Sequence, residues 1–191
     1  MKRRRFEKLI DVKCECEIPC ETCKCAKIND DQIFWAKDNE TVKIPTKRDE
    51  DAGWDIYANF EEDYIVIPPH TTKMIPTGLH SAFSSKWVAI LKERGSNGSK
   101  GIAQRCGVID SGFRNAWFVP LTNTNDYPIV IAKQGVTIDI EGEYLIYPYE
   151  KGICQAIFVE VPKLQSKEIS VEELTSIASE RGMGMLGSSK K

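Results

Sequence analysis

Residues 129–161 read IVIAKQGVTIDIEGEYLIYPYEKGICQAIFVEV, and this stretch decides the fold class. Short runs of β-branched and aromatic residues follow one another here, with glycines between them. No 3.6-residue helical period connects the runs, and this pattern is typical of strands joined by turns. We predict strands at residues 129–131, 136–138, 144–147 and 153–161.

The same pattern extends upstream to about residue 42, with further strand-like runs at 65–67, 87–91 and 117–119. Strands that recur at this spacing predict an all-β sandwich, jelly roll or barrel. Pro128 and Pro148 predict sheet edges or bulges, because proline cannot donate to a ladder. A single helix signal comes late, where Ser170 and Glu173 form a capping box that predicts a short helix to about Glu180.

The bulk composition describes one globular domain with tails. The chain has 191 residues, of which 41% are hydrophobic and 28% charged, with a formal net charge of -2. The acidic balance argues against a nucleic-acid binder, so no nucleic-acid partner is expected. No apolar run approaches the ~18 residues that span a bilayer, so we expect no membrane association and a cytoplasmic location. We predict an N-terminal extension over 1–40, a β core over 41–162, and a helix with a C-terminal arm over 163–191.

Five of the seven cysteines cluster in the N-terminal extension. Their spacing leaves three alternatives open: a zinc site, free thiols and redox cross-links. The candidate zinc ligands are Cys14, Cys16, Cys20, Cys23 and Cys25. Cys106 and Cys154 lie alone in β-like runs and are predicted to be buried thiols. His70 and His80 adjoin turns without companion ligands, so we assign them no chemistry.

The run Gly107–Phe113, GVIDSGF, carries the strongest candidate for catalysis. Its apolar strand delivers the Asp110 carboxylate into a glycine turn, and the Phe113 ring follows. A fixed carboxylate beside a ring suits a general base that acts on a small ring-bearing substrate. A plain hairpin has the same signature and stays an alternative.

Two further segments have the composition of anion-binding loops. Arg94–Gly101 reads RGSNGSKG and Arg181–Ser189 reads RGMGMLGSS. Their glycines expose backbone amides, while arginine and hydroxyl groups supply further donors. The alternatives are a polar hairpin for the first segment and a disordered tail for the second. Asp55, in an otherwise apolar run, is either a structural acceptor or an anchor for a hydrated cation.

Taken in order, these segments resemble the five motifs of the trimeric dUTP diphosphatase (dUTPase) family, within the dUTPase and dCTP deaminase superfamily. The matching segments are Ala52–Asp55, Arg94–Gly101, Gly107–Phe113, weakly Gly152–Gln155, and Arg181–Ser189. No single motif would suffice, but their ordered occurrence on an all-β chain is a strong signal. The resemblance implies a dUTPase-like jelly roll of the β-clip type with one short C-terminal helix and an extended C-terminal arm.

The resemblance also implies hydrolysis of dUTP to dUMP and pyrophosphate with Mg²⁺, by a homotrimer with shared active sites. Asp110 then resembles the base that activates water for attack on the α-phosphate, and Asp55 the acid that holds Mg²⁺ through water. The implied substrate-binding residues are Arg94, Gly95, Ser96, Gln104, Val108, Ile109, Phe113, Gln155, Arg181, Leu186, Gly187, Ser188 and Ser189.

Four positions depart from the family pattern: Gly95 replaces a serine, Phe113 a tyrosine, Gln104 an asparagine and Leu186 a phenylalanine. Gly95 is the most serious, because a hydroxyl on the reacting oxygens is lost unless Ser96 or a main-chain amide replaces it. The extension and a hairpin-like stretch over 127–149 match no motif, and three alternatives stay open: they decorate the trimer, bind a protein partner or only lengthen a loop.

Two alternative functions remain. A dCTP deaminase would need a glutamate where Pro120 stands, and proline cannot transfer protons. A nucleotide-binding regulator with weak turnover is suggested by Gly95 and by the cysteine-rich extension.

Overall fold

The structure is a computed structural model, and it describes residues 28–105, 107–180 and 182–184. Two compact units make up the chain, with the division between Val161 and Pro162. The strands and one short helix belong to the first unit, and a second helix belongs to the second unit. No helix in these described ranges is long and apolar enough to cross a membrane.

The elements follow one another as short strands. They are β1 Ile33–Lys37, β2 Trp54–Tyr57, β3 Tyr64–Ile67, β4 Thr72–Pro76, β5 Leu79–Phe83, β6 Trp87–Lys92, α1 Gly95–Gly98, β7 Ile102–Gln104, β8 Val108–Ile109, β9 Phe118–Asn123, β10 Ile129–Ala132, β11 Leu145–Pro148, β12 Gly152–Glu160 and α2 Val171–Ser176. The predicted all-β class is therefore confirmed.

The strands form small sheets with the orders β1-β5, β11-β10-β3, β2-β12-β6-β8 and β4-β9-β7. Their inward faces supply one apolar core, in which Trp117, Phe83, Ile56, Ile67 and Ile153 are fully buried. Burial of branched and aromatic side chains from alternate strand positions is what stabilises such packed sheets. The range predicted as an N-terminal extension contains β1, which pairs with β5 along its whole length.

The predicted strand over residues 136–138 is wrong, and so is the interpretation of residues 127–149 as a hairpin. The strands β10 and β11 pair in parallel, and β10 also pairs with β3. Parallel neighbours need a crossover connection, so residues 133–144 must return the chain to the start of β11. All four residues of β10 are buried, which makes this strand part of the core. Pro148 ends β11 at the edge of its sheet, as predicted.

The second unit contains the predicted helix, α2. The capping box is confirmed, because Ser170 Oγ accepts from the Glu173 amide and the Glu173 carboxylate accepts from the Ser170 amide. The helix ends at Ser176 rather than near Glu180. No residue of α2 is buried, and Thr175, Ser176 and Ile177 are weak helix formers. Capping alone therefore sustains less than two turns.

Candidate active site

Asp55 and Arg94 lie together at one end of the sheet β2-β12-β6-β8. Asp55 is on β2, and the register pairs it with Gln155 on β12. Arg94 follows the end of β6, and its Nε lies 3.0 Å from Asp55 Oδ1. Its Nη1 donates to the carbonyl oxygen of Gly152 at 3.1 Å. About a third of each side chain is exposed, 30% for Arg94 and 32% for Asp55, so the pair faces an open cleft.

This cleft has a volume of about 750 Å³. It brings together the predicted site residues Asp55, Arg94, Gly95, Ser96 and Gln155. Cationic and hydroxyl donors beside the Asp55 carboxylate make a surface suited to a polyphosphate and a hydrated cation, and Glu50 and Asp51 also line the cleft.

Two basic residues that sequence reasoning missed, Lys47 and Arg48, also line the cleft. Arg48 is held by Asp51 through two contacts of 2.9 Å. The signal was available in the run TKRDEDAGWD, where three residues separate a basic pair from the first motif. On its own such a pair is typical of a solvated loop.

Gln155 is fixed in the cleft by close packing. Its Nε2 donates to the Glu93 carbonyl oxygen at 3.0 Å. A Cβ at Gly53 would come within 2.5 Å of Gln155 Oε1, so only glycine leaves room for this amide. This close approach explains why the first motif has a glycine at position 53.

The loop Arg94–Gly101 contains the short helix α1 and is anchored by a buried asparagine. Asn97 is 1% exposed, and its Nδ2 donates to the Ile153 carbonyl oxygen at 2.7 Å. The Tyr147 hydroxyl lies 2.9 Å from Asn97 Oδ1 and also contacts the Gly152 carbonyl oxygen, so its single proton serves either acceptor. Burial raises the pKa of the Tyr147 phenol, which keeps it a donor at neutral pH. Sequence reasoning missed both residues, because an asparagine beside a glycine indicates a turn rather than a buried anchor.

Asp110 lies outside the cleft that contains Asp55. It directly follows β8, and the Phe113 amide donates to the Asp110 carbonyl oxygen at 3.0 Å, which closes the turn. The side chains of this segment face outward: Asp110 is exposed, Val108 is 64% exposed and Phe113 is 40% exposed. Gln104 ends β7, and its Nε2 donates to the Arg105 carbonyl oxygen at 2.7 Å.

A single chain does not join the two acids. Asp55 is on one edge strand of the sheet β2-β12-β6-β8, and Asp110 follows the other edge strand. Three steps between neighbouring strands amount to about 14 Å. The residues that line the Asp55 cleft in the described ranges include neither Asp110 nor Phe113.

The remaining predicted site residues lie outside the described residues. They are Arg181, Leu186, Gly187, Ser188 and Ser189 of the C-terminal arm, and Cys14, Cys16, Cys20, Cys23 and Cys25 of the extension. Cys154, predicted to be a buried thiol, is buried and free, and burial raises the pKa of its thiol. Cys106 is also outside the described residues.

In the part of the chain that the structure describes, no group of three or more His, Cys, Asp or Glu could hold a metal ion. Mg²⁺ keeps several waters and uses one or two carboxylates together with substrate phosphates. The partly exposed Asp55 carboxylate, beside Gln155 in the cleft, is a group that could hold such an ion.

Comparison with known proteins identifies relatives of this chain. A sequence model of the dUTPase family matches residues 39–136, about half of the chain. The Pol polyprotein of caprine arthritis encephalitis virus is 34% identical over 100 residues, which are 52% of this chain and 9% of that polyprotein. The deoxyuridine 5'-triphosphate nucleotidohydrolase of Gloeobacter violaceus is 27% identical over 142 residues, which cover 73% of this chain and 82% of that protein.

Solved structures establish the fold. The dUTPase of Staphylococcus bacteriophage 80alpha with dUPNHPP has a TM-score of 0.65 at 21% identity, with 84% of this chain and 99% of that chain covered. The sheets described above are thus a dUTPase-like jelly roll. By the family match over residues 39–136, the chain belongs to the dUTPase family.

Proposed function

We propose that this chain hydrolyses dUTP to dUMP and pyrophosphate. The observation that carries the proposal is the cleft in which Asp55, Arg94, Ser96 and Gln155 meet on a dUTPase fold. A triphosphate has several negative charges that must be neutralised before water can attack phosphorus. The cleft offers a guanidinium, a hydroxyl and a carboxylate for a hydrated cation within one volume.

Asp110 is the proposed general base. A carboxylate accepts the proton of a water molecule while that water attacks the α-phosphorus, and pyrophosphate departs. The turn that carries Asp110 is closed by the hydrogen bond from the Phe113 amide to the Asp110 carbonyl oxygen, which fixes the backbone that carries the carboxylate. When bound through water at Asp55, Mg²⁺ would neutralise charge on the phosphate oxygens. Arg94, Ser96 and Gln155 would then bind the phosphates from the protein side.

The nucleoside would lie against the Asp110 turn. The exposed Phe113 ring offers an apolar face to the deoxyribose, and a packed ring leaves no partner for a 2′-hydroxyl. Val108, Ile109 and Gln104 are the proposed contacts of the base. We propose that the C-terminal arm closes over the nucleotide, with Arg181, Ser188 and Ser189 on the γ-phosphate, and with Gly187 and the apolar Leu186 beside them toward the base.

A homotrimer with shared sites would explain why one chain separates the two halves of the site. The Asp55 cleft and the Asp110 turn lie at opposite edges of one sheet. The turn carries outward-facing apolar groups, of which Val108 is the most exposed at 64%. If the turn of one chain faced the cleft of the next, base and phosphate-binding groups would meet around one dUTP.

The N-terminal cysteines are a separate proposal. Four of the five cysteines Cys14, Cys16, Cys20, Cys23 and Cys25 would supply the thiolates for one structural Zn²⁺. A zinc measurement on the purified full chain decides it: one zinc per chain is the expected result, and no zinc leaves free thiols or cross-links. A cytoplasmic location and a protein partner of the extension stay predictions from the sequence.

A nucleotide-binding regulator with weak turnover is the second candidate, and Gly95 favours it. This residue places no hydroxyl beside the phosphates, and a Cβ there would have no neighbour within 4 Å. The solved phage dUTPase is described as controlling the transfer of virulence genes by a proto-oncogenic G protein-like mechanism.

The deciding experiment measures pyrophosphate release from dUTP, dCTP, dTTP and UTP with Mg²⁺. Hydrolysis of dUTP alone, with a loss of about 10²- to 10⁴-fold in Asp110→Asn, is the expected result. Tight binding of dUPNHPP without turnover of dUTP would favour the regulator. Ammonia release from dCTP would instead indicate a deaminase, against which the buried Pro120 of β9 argues.

A further inference from the structure

His80 lies on β5 with both nitrogens of its ring against oxygen acceptors. Its Nε2 is 2.7 Å from Asp38 Oδ1, and its Nδ1 is 2.9 Å from the carbonyl oxygen of Arg114. A carbonyl oxygen cannot donate, and an ionised carboxylate only accepts. Each ring nitrogen must therefore carry a proton to make its bond, so the geometry is that of an imidazolium.

Arg114 directly follows the turn that carries Asp110 and Phe113. Its guanidinium turns back onto this segment, because Nη1 donates to the Phe113 carbonyl oxygen at 3.1 Å and contacts the carbonyl oxygen of Ser111. The same nitrogen lies 3.4 Å from the carbonyl oxygen of Ser81 on β5. The end of the turn is thus bound to β5 by the Arg114 side chain and, through His80, by the Arg114 backbone.

The other partner of His80 is itself fixed. Asp38 directly follows β1, which pairs with β5, and the Asp38 amide donates to the Gly78 carbonyl oxygen at 2.9 Å. Lys37 and the Arg114 guanidinium line the same hollow as His80. Lys37 has its own ion-pair partner, since its Nζ lies 3.5 Å from Glu40 Oε2. In the described chain, Asp38 is the anionic group that contacts the ring.

We infer that His80, supported by Asp38, is a positioning residue that holds the Asp110 turn in place for catalysis. This inference rests on the proposed function, because the turn matters only if Asp110 acts on a nucleotide. His80 touches neither substrate nor the reacting atoms, and it acts through the backbone of Arg114. A misplacement of about 1 Å in a reacting group typically costs on the order of 100-fold in rate.

The bonds to His80 make this support depend on pH. The Arg114 carbonyl oxygen first, and the Asp38 carboxylate second, raise the pKa of His80 above its ordinary value, while burial opposes them. A raised pKa in the folded state means that both bonds are present below the ordinary value of about 6.5. One bond is lost as pH rises through the raised pKa.

The test is the pH dependence of kcat and KM for dUTP in the full chain. We expect the kcat of the unmodified protein to fall on the alkaline side of its profile. In His80→Gln this alkaline fall should vanish, and kcat should be about 10- to 100-fold lower with a smaller change in KM. In Asp38→Asn the alkaline fall should move to lower pH, because the carboxylate no longer raises the pKa of His80.

A matched control is available at His70. Its Nε2 lies 2.8 Å from Oδ1 of Asp126, a residue that is distant from it in sequence. Asp126→Asn removes the same kind of carboxylate from the same kind of contact and should leave the profile unchanged. Hydrogen exchange over residues 107–117 supplies a readout without turnover, and it should be faster in His80→Gln than in Asp126→Asn.

The outcomes separate cleanly. An unmodified protein that does not hydrolyse dUTP contradicts the proposed function, and the exchange measurement then decides the positioning role alone. Hydrolysis with an identical pH profile in His80→Gln, or unchanged exchange over residues 107–117, overturns the inference. If His80→Gln does not fold, an unmoved alkaline fall in Asp38→Asn overturns it.

Discussion

Arg94 Nε lies 3.0 Å from Asp55 Oδ1, so the guanidinium proposed for phosphate already contacts the carboxylate proposed for hydrated Mg²⁺. An exposed ion pair of this kind contributes only about 0–1 kcal/mol to stability. Its main effect is to hold both groups toward the cleft before a ligand arrives. A bound nucleotide and its cation would then take over contacts that the pair makes with itself.

From this pair we predict that Asp55→Asn raises the Mg²⁺ concentration needed for half-maximal hydrolysis at least tenfold. The amide keeps the shape of the side chain but loses the charge that attracts a hydrated cation. Pyrophosphate release is measured over a Mg²⁺ titration at saturating dUTP. Asp51→Asn is the matched control, because it also removes the charge of a carboxylate that lines the cleft and is paired with an arginine. Equal Mg²⁺ dependence in the two variants would contradict the role of Asp55.

Gly95 offers a second prediction. Gly95→Ser should fold normally, because a Cβ at this position meets no atom within 4 Å. The new hydroxyl could donate to the leaving phosphate, and a positioned donor of this kind is worth about 10²-fold in rate. We expect kcat to rise about tenfold. This is less than the full effect of a positioned donor, because the surrounding residues are not arranged to orient the new hydroxyl.

The neighbouring Gly98 makes the control sharp. It lies in the same short helix and also has open space at its Cβ, so Gly98→Ser adds the same group outside the cleft. Gly98→Ser should leave kcat unchanged. If Gly95→Ser also leaves kcat unchanged, Ser96 or a main-chain amide already donates to the leaving phosphate.

Asn97 is predicted to matter through its buried bonds. Asn97→Ala leaves the Ile153 carbonyl oxygen without its donor and the Tyr147 hydroxyl without one of its acceptors. An unsatisfied buried polar group costs about 1–3 kcal/mol, which urea unfolding would measure. The same change frees the loop that carries Arg94, so KM for dUTP should rise. In Tyr147→Phe the asparagine keeps its bond to Ile153, and both effects should be smaller.

The all-β class, most strand positions and the capping box at Ser170 follow from local patterns, and local patterns are what a sequence displays. The failures are non-local. Residues 136–138 have the alternation of a strand, but they lie in the crossover that parallel pairing of β10 with β11 requires. No local feature of the sequence states which strands will be neighbours in a sheet.

The same distinction applies to the candidate site. Asp55, Arg94 and Ser96 were found because their residue types suit phosphate and cation binding, whereas Gln155 followed only from the family resemblance. The fold brings all four together. Asn97, Tyr147 and His80 were missed, because Asn97 and Tyr147 are bonded to each other across 50 residues and His80 is bonded to Asp38 across 42. A polar residue in a turn-like segment shows its burial and its partners only after folding.

Mixed trimers test whether Asp110 and Asp55 of one site come from different chains. In Asp110→Asn alone and in Asp55→Asn alone, every site is defective. If the two variants are unfolded together and refolded at equal amounts, a shared site can draw Asp110 from one variant and Asp55 from the other. Random assembly would make about a quarter of the sites intact. We therefore expect pyrophosphate release at about that fraction of the unmodified rate.

The negative control uses two changes on one turn. Asp110→Asn mixed with Phe113→Ala cannot rebuild an intact site, because both residues belong to the same turn of four residues closed by the Phe113 amide. This mixture should show no more activity than the Phe113→Ala chains alone provide. If the Asp110→Asn and Asp55→Asn mixture also stays inactive, although the chains exchange, both acids act from one chain. The separation of about 14 Å across the sheet would then have to close by a movement of the Asp110 turn.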